Sequence, residues 1–288
     1  MWAQLHSEQI LNECNEIETG GKAVYGASVG ILMLEAQFPR IVGDMGNALT
    51  WPFPVFYKVV RGASPARVVR RNAEGLKDRF IEAAQELVNQ GADGITTTCG
   101  FLSLFQSELA AAVNVPVATS SLMQVPLVQA LLPPDRRVGV ITISKASLSS
   151  AHLRAAGVPE ETPIVGTDQG REFSRVIINN EPRMNTKLAR LDLLDASHEL
   201  TERYRDVGAI VLECTNMVPY ASDIRRETGL PVFTIRSFVM WFESALMPRA
   251  FDSHLADSRL RPASLTSPYS GGADAPQDQQ TSTPYAPR

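Results

Sequence analysis

Short apolar, β-branched runs alternate along this chain with longer stretches whose apolar residues recur at helical spacing. These are the patterns of buried parallel strands and of amphipathic helices. Residues 23–34, 55–60, 115–119, 138–143, 163–165 and 232–235 read as strands, as do two runs that stop at a cysteine, Gly94-Ile95-Thr96-Thr97-Thr98-Cys99 and Ala209-Ile210-Val211-Leu212-Glu213-Cys214. The clearest helix covers 72–90, where Leu76, Phe80, Ala83, Ala84, Leu87 and Val88 share a face and Gly91 supplies the stop. Further helices are expected over 102–113, 122–132, 152–156, 187–205 and 238–246, with Pro219 in the first turn of another. Pro and Gly punctuate 35–54, which reads as a long loop.

The two cysteine-ended runs match at a constant offset of 115 residues, and the match continues beyond them. Phe105 falls on Tyr220, Ser107-Glu108 on Ser222-Asp223, and Pro116, Val117 and Thr119 on Pro231, Val232 and Thr234. Upstream, the run from Val29 resembles that from Val138 at an offset of 109. An internal duplication follows. The expected fold class is α/β, with two pseudo-symmetric domains, each a mainly parallel sheet flanked by helices, and an active site in the cleft between them. The expected divisions are an N-terminal segment 1–22, a first half 23–134, a second half 135–250 and a disordered tail 251–288, whose Ser, Pro, Gly, Gln and Asp content cannot offset its ordering entropy.

Composition narrows the function. The net charge of -4 and scattered Lys and Arg leave no nucleic-acid footprint. No apolar run approaches the roughly 20 residues of a membrane span, and the opening residues lack a signal-peptide layout, so a cytoplasmic protein is expected. Three cysteines at unrelated spacings argue for free thiols, with Cys14 incidental. The four histidines have no partners at metal-ligand spacing, and no glycine-rich nucleotide loop follows a strand, so neither metal nor cofactor is expected.

Ligands of parallel α/β units gather at the carboxyl ends of strands, where both Cys99 and Cys214 are expected. Two thiols facing each other across a cleft suit proton transfer at a carbon acid, one as base and the other as acid. A helix N-terminus is expected to bring a thiol toward working pH. Thr98, Gly100, Thr119, Ser120, Thr142, Thr215 and Asn216 then line a carboxylate site, and Asp44 and Asn47 in the long loop join them. Arg40, Lys145 and Arg236 are read as solvated loop charges before carboxylate partners. Alternation along the strand turns Glu213 away from the cysteine's side and suggests an ion pair.

These strand-cysteine pairs, Cys214-Thr215 and the equal cysteine-to-proline spacings resemble the aspartate/glutamate/hydantoin racemase superfamily. That resemblance implies two similar α/β domains, a cofactor-independent site, and Cys99 and Cys214 as paired acid and base. Where glutamate racemases show Cys-Asn-Thr and Cys-Thr-His, this chain has Cys99-Gly100-Phe101 and Cys214-Thr215-Asn216. The expected function is a racemase or epimerase of a small carboxylated substrate, foremost aspartate or glutamate, in a chain for which a homodimer is compatible. Hydantoin racemisation, maleate-type isomerisation and malonate decarboxylation are alternatives on the same fold. A non-catalytic binding protein is the alternative from another class.

Overall fold

Both sheets have the same strand order, as a duplication requires. The structure, a computed structural model, describes residues 19–249. Cys14, His6, His254, most of the expected N-terminal segment and the expected tail lie outside the described residues. Strands β1 (Val29–Leu34), β2 (Val55–Val60), β3 (Gly94–Thr97) and β4 (Val117–Ala118) form one parallel sheet in the order β2-β1-β3-β4. Strands β5 (Arg137–Thr142), β6 (Ile164–Gly166), β7 (Val207–Leu212) and β8 (Val232–Phe233) form a second parallel sheet, β6-β5-β7-β8. The central pairs are in equivalent register, Gly30 opposite Ile95 and Gly139 opposite Ile210.

The helices are α1 (Pro65–Arg70), α2 (Lys77–Gln90), α3 (Gln106–Ala112), α4 (Val125–Leu131), α5 (Ser150–Ala155), α6 (Phe173–Ile178), α7 (Thr186–Arg203), α8 (Ala221–Thr228) and α9 (Ile235–Leu246). Close helix-on-sheet packing explains a glycine in each central strand. A Cβ on Gly30 would lie 3.1 Å from Leu87 of α2, and one on Gly139 would lie 2.8 Å from Leu200 of α7.

Local backbone shifts several expected boundaries. The first strand starts at Val29 and not at 23, because Val24 and Tyr25 are 44% and 62% exposed and Gly26 turns the chain at φ 80°. The helix expected from 72 starts at Lys77, because Asn72, Ala73 and Gly75 hold left-handed conformations at φ 49°, 53° and 68°. Helices α3, α4 and α8 are each preceded by a 3-10 turn, at Gly100–Phe105, Ser121–Gln124 and Thr215–Tyr220, and Pro219 lies inside the last of these. Helices α1 and α6 are too short to leave a periodic signal.

The two halves of the repeat exchange their closing helices in space. On α4, Gln129 accepts from the Val138 N–H (3.0 Å) and donates to the Arg136 carbonyl (2.9 Å), fastening this helix to the second sheet. Reciprocally, Phe242 and Leu246 of α9 cover Gly94 of the first sheet, and Ile235, Phe238 and Val239 pack with Val29 and Ile31. Each half closes with a helix on the other half's sheet, and the two sheets belong to one compact unit ending at Pro248. The cause is simple: each closing helix buries its apolar face against a sheet face that needs a cover.

Candidate active site

Strands β3 and β7 end side by side in the interior. Cys99 and Cys214 each immediately precede a 3-10 turn, in extended backbone, and both are 8% exposed. Hydroxyls tie the two strand ends together across the pseudo-twofold relation. Thr215 Oγ1 donates to the Thr98 carbonyl (2.7 Å), while Ser121 Oγ donates to the carbonyls of Leu212 (2.6 Å) and Glu213 (3.0 Å). The thiols are close enough that charge on Cys99 opposes charge on Cys214.

Burial dominates the acid-base character of both thiols. It pushes Cys99 and Cys214 well above the ordinary cysteine value, and the charge of Glu213 pushes them further. The backbone amides of Phe101 and Leu102 favour the Cys99 thiolate, and that of Asn216 favours the Cys214 thiolate. The turn amides thus act in the expected direction, and desolvation outweighs them. Arg40 favours charge on Cys99, whereas Asp44 opposes it on Cys214.

Glu213 is fully buried and has no ion pair among the described residues. Thr142 Oγ1 donates to its Oε2 (2.8 Å), with the Ile143 N–H at 3.4 Å, and its Oε1 has no hydrogen-bond partner. Burial raises its carboxyl to about 7. The ion pair anticipated for this residue is therefore replaced by hydroxyl and backbone donors. Its side chain lies against Gly100, within reach of both thiols' electrostatics.

The long loop after β1 folds over the same place. Gly43, at φ 104°, brings it against Pro219, where an added Cβ would lie 3.1 Å from the proline ring. Asp44 is buried and accepts from Arg40 Nη1 (2.8 Å), from the Gly46 N–H (2.7 Å) and from Asn216 Nδ2. Asn216 Oδ1 in turn accepts from Cys214 Sγ (3.5 Å). A polar chain thus runs Arg40, Asp44, Asn216, Cys214. Arg40 lies 4.7 Å over the Phe38 ring, and its Nη2 is buried without a partner. It is not the solvated loop charge that its sequence position suggests.

The other expected lining residues also meet partners within the protein. Thr98 Oγ1 accepts from the Leu34 N–H (3.1 Å), Thr119 Oγ1 donates to Gln106 (2.7 Å), and Ser120 Oγ accepts from the Leu122 N–H (3.2 Å). Asn47 caps the short turn Ala48–Thr50 through the Leu49 N–H (3.0 Å) and donates to the Arg40 carbonyl (2.9 Å). Gly100 leaves space for Glu213. Arg236 reaches the Thr50 carbonyl (3.4 Å), and Lys145 is exposed. Thr98 and Ser120 accept in these contacts, so each hydroxyl keeps its proton for a further acceptor.

Sequence reasoning missed Tyr220, whose buried hydroxyl has no partner and feels the charge of Asp44. Its signal was the mismatch in the repeat, a phenol where the first half has Phe105. Among the described residues, no cluster of three or more His, Cys, Asp or Glu is arranged for a metal ion, and no helix is long and apolar enough to cross a membrane.

No family model matches the chain. Among solved structures, a sulfate-associated variant of arylmalonate decarboxylase superposes with TM-score 0.52 at 17% identity, over 76% of this chain and 92% of that one. Glutamate racemase from Bacillus anthracis superposes with TM-score 0.51 at 14% identity, over 76% and 84%. The fold is that of the aspartate/glutamate/hydantoin racemase superfamily, as its sequence resemblance implied.

Sequence relatives correct the expected activity. Dimethylsulfoniopropionate lyase 7 of Emiliania huxleyi (strain CCMP1516) is 31% identical over 231 residues, 76% of this chain and 67% of that protein. Lyase 6 of the same organism is 31% identical over 215 residues, 72% of this chain and 56% of that protein, so this chain spans little more than half of that relative. A dimethylsulfoniopropionate lyase of Durusdinium sp. clade D is 27% identical over 228 residues, 74% and 75% of the two chains. These structures are named as enzymes, but the sequence relatives are named lyases, which overturns the reading as an acidic amino-acid racemase. The 31% identity to lyase 7, over two thirds of that protein, shows that the chain belongs to the dimethylsulfoniopropionate lyase family, on the two-sheet fold of the racemase superfamily.

Proposed function

We propose that this protein is a lyase that eliminates dimethyl sulfide from 3-(dimethylsulfonio)propionate. A cysteine thiolate takes the Cα proton, the C–H electron pair becomes the Cα=Cβ bond of acrylate, and the Cβ–S bond breaks with its pair on sulfur. Proton removal α to a carboxylate is the same demand that racemisation makes of this fold, so a change of substrate redirects the carbanion from reprotonation to elimination. The leaving group departs as a neutral sulfide and needs no acid.

The observation that carries this reading is the electrostatic state of the thiols. Buried and facing Glu213, both cysteines hold their protons above the ordinary range. A substrate that brings a sulfonium cation into such a site favours the thiolate it needs, because an opposite charge in a poorly solvated place lowers a thiol pKa. A substrate carrying only a carboxylate would push the thiols the other way.

The test is headspace measurement of dimethyl sulfide released from 3-(dimethylsulfonio)propionate by the purified chain and by the double replacement Cys99→Ser, Cys214→Ser. Release by the wild type and its loss in a folded double variant is the expected result. Equal release by both, or none by folded and reduced wild-type protein, refutes the proposal.

A further inference from the structure

We propose that Arg40 and Tyr220 form a clamp for the substrate carboxylate, supplied by opposite halves of the repeat; this rests on the lyase reading above. Arg40 comes from the loop after β1 and Tyr220 from the turn after Cys214. The contact of Gly43 with Pro219 holds that loop against that turn. Asp44 links the two, pairing with Arg40 Nη1 at 2.8 Å and hydrogen-bonding Asn216, four residues before Tyr220. Fixing Nη1 on Asp44 leaves Nη2 as the free arm of the guanidinium.

Arg40 Nη2 and Tyr220 Oη are two of only four buried side-chain polar atoms without a hydrogen-bond partner among the described residues. Buried donors are ordinarily satisfied, and orphaned ones mark a strain reservoir or a ligand position. Both are hydrogen-bond donors, and burial raises the Tyr220 phenol to about 12, so it keeps its proton across working pH. Two donors, one of them cationic, suit a carboxylate and, more strongly, the doubly charged enediolate formed when the Cα proton leaves.

The surrounding charges narrow the ligand class further. Arg40 and Asp44 already neutralise one another, so a plain carboxylate would bury one unmatched negative charge. A zwitterion brings its own cation and adds no net charge beside Glu213 and the thiols. The clamp is therefore matched to short carboxylates bearing an onium group. The pseudo-symmetric position in the first half carries Phe105, which has no hydroxyl, so the clamp exists on one side of the cysteine pair only.

The experiment compares wild type with Tyr220→Phe and Arg40→Lys in three readouts: KM and kcat for 3-(dimethylsulfonio)propionate, calorimetric binding of 3-(trimethylammonio)propionate and of its carboxamide, and thermal stability. Tyr220→Phe removes a hydroxyl that bonds nothing, so its melting temperature is expected to hold or rise. Ligand affinity and kcat/KM are expected to fall about 10- to 100-fold, the range for losing a hydrogen bond to a charged group. The wild type is expected to bind the carboxylate and not the carboxamide. Unchanged affinity in Tyr220→Phe and Arg40→Lys, or equal binding of carboxylate and carboxamide by the wild type, overturns the clamp. If the wild type releases no dimethyl sulfide, the lyase reading fails, and the calorimetric arm still decides the clamp.

Discussion

A Cβ on Gly100 would lie 2.5 Å from the carbonyl oxygen of Glu213 and would overlap its carboxyl group. The residue after one catalytic cysteine candidate is thus constrained by the residue before the other. Gly100→Ala is expected to displace the turn that carries Cys99 and to destabilise the protein by about 1–3 kcal/mol, the usual cost of overpacking an interior. Urea denaturation measures it, and an unchanged midpoint would contradict the contact. Removing the Glu213 side chain should relieve the strain only in part, since the backbone carbonyl remains.

Glu213 gives stability a pH dependence of definite sign. Its folded pKa of about 7 stands above the ordinary value of 4.5, so between these the folded state holds more protons than the unfolded. Stability from this group is then fully present at acid pH, falls as pH rises from about 4.5 to 7, and is constant above. Glu213→Gln is expected to flatten that window in chemical denaturation series. Because charge on Glu213 opposes both thiolates, the same variant should move the rise of kcat/KM to lower pH. A profile that does not move would separate Glu213 from the thiols.

Single cysteine replacements distinguish one-base elimination from two-base chemistry. Cys99→Ser and Cys214→Ser are each expected to keep the melting temperature. Losing a general base costs about 100- to 10,000-fold in rate. Since a neutral sulfide needs no acid, one replacement should show the whole loss and the other a smaller one. Full and equal loss in both, with folded protein, would show that both thiols take part in proton transfer.

Away from the site, Asp192 on α7 holds the entry to α6. Its buried carboxylate accepts from the backbone N–H groups of Arg171 (2.8 Å), Glu172 (2.7 Å) and Phe173 (2.8 Å). Asp192→Ala leaves these donors without their acceptor and is expected to cost about 3 kcal/mol. Faster hydrogen exchange at those three amides is the local readout, and unchanged protection would refute the anchoring role.

The sequence by itself determined the repeat, the alternation of strands and helices, and the two cysteines at strand ends. Buried parallel strands must be continuous apolar runs, and a duplication copies them at fixed offsets. The tertiary structure shows why Gly30 and Gly139 recur in the two halves, because close packing by Leu87 and Leu200 leaves no room for a side chain. The tertiary structure alone decided the rest of the site. Arg40 is half-buried beneath a loop that folds onto Pro219, with its Nη2 fully enclosed, and the Tyr220 hydroxyl is enclosed without a partner. Thr98, Thr119 and Ser120 went to backbone and side-chain partners that no local pattern reveals. Hydrophobic periodicity is a local property of the chain, whereas desolvation and the pairing of polar groups depend on which distant segments meet.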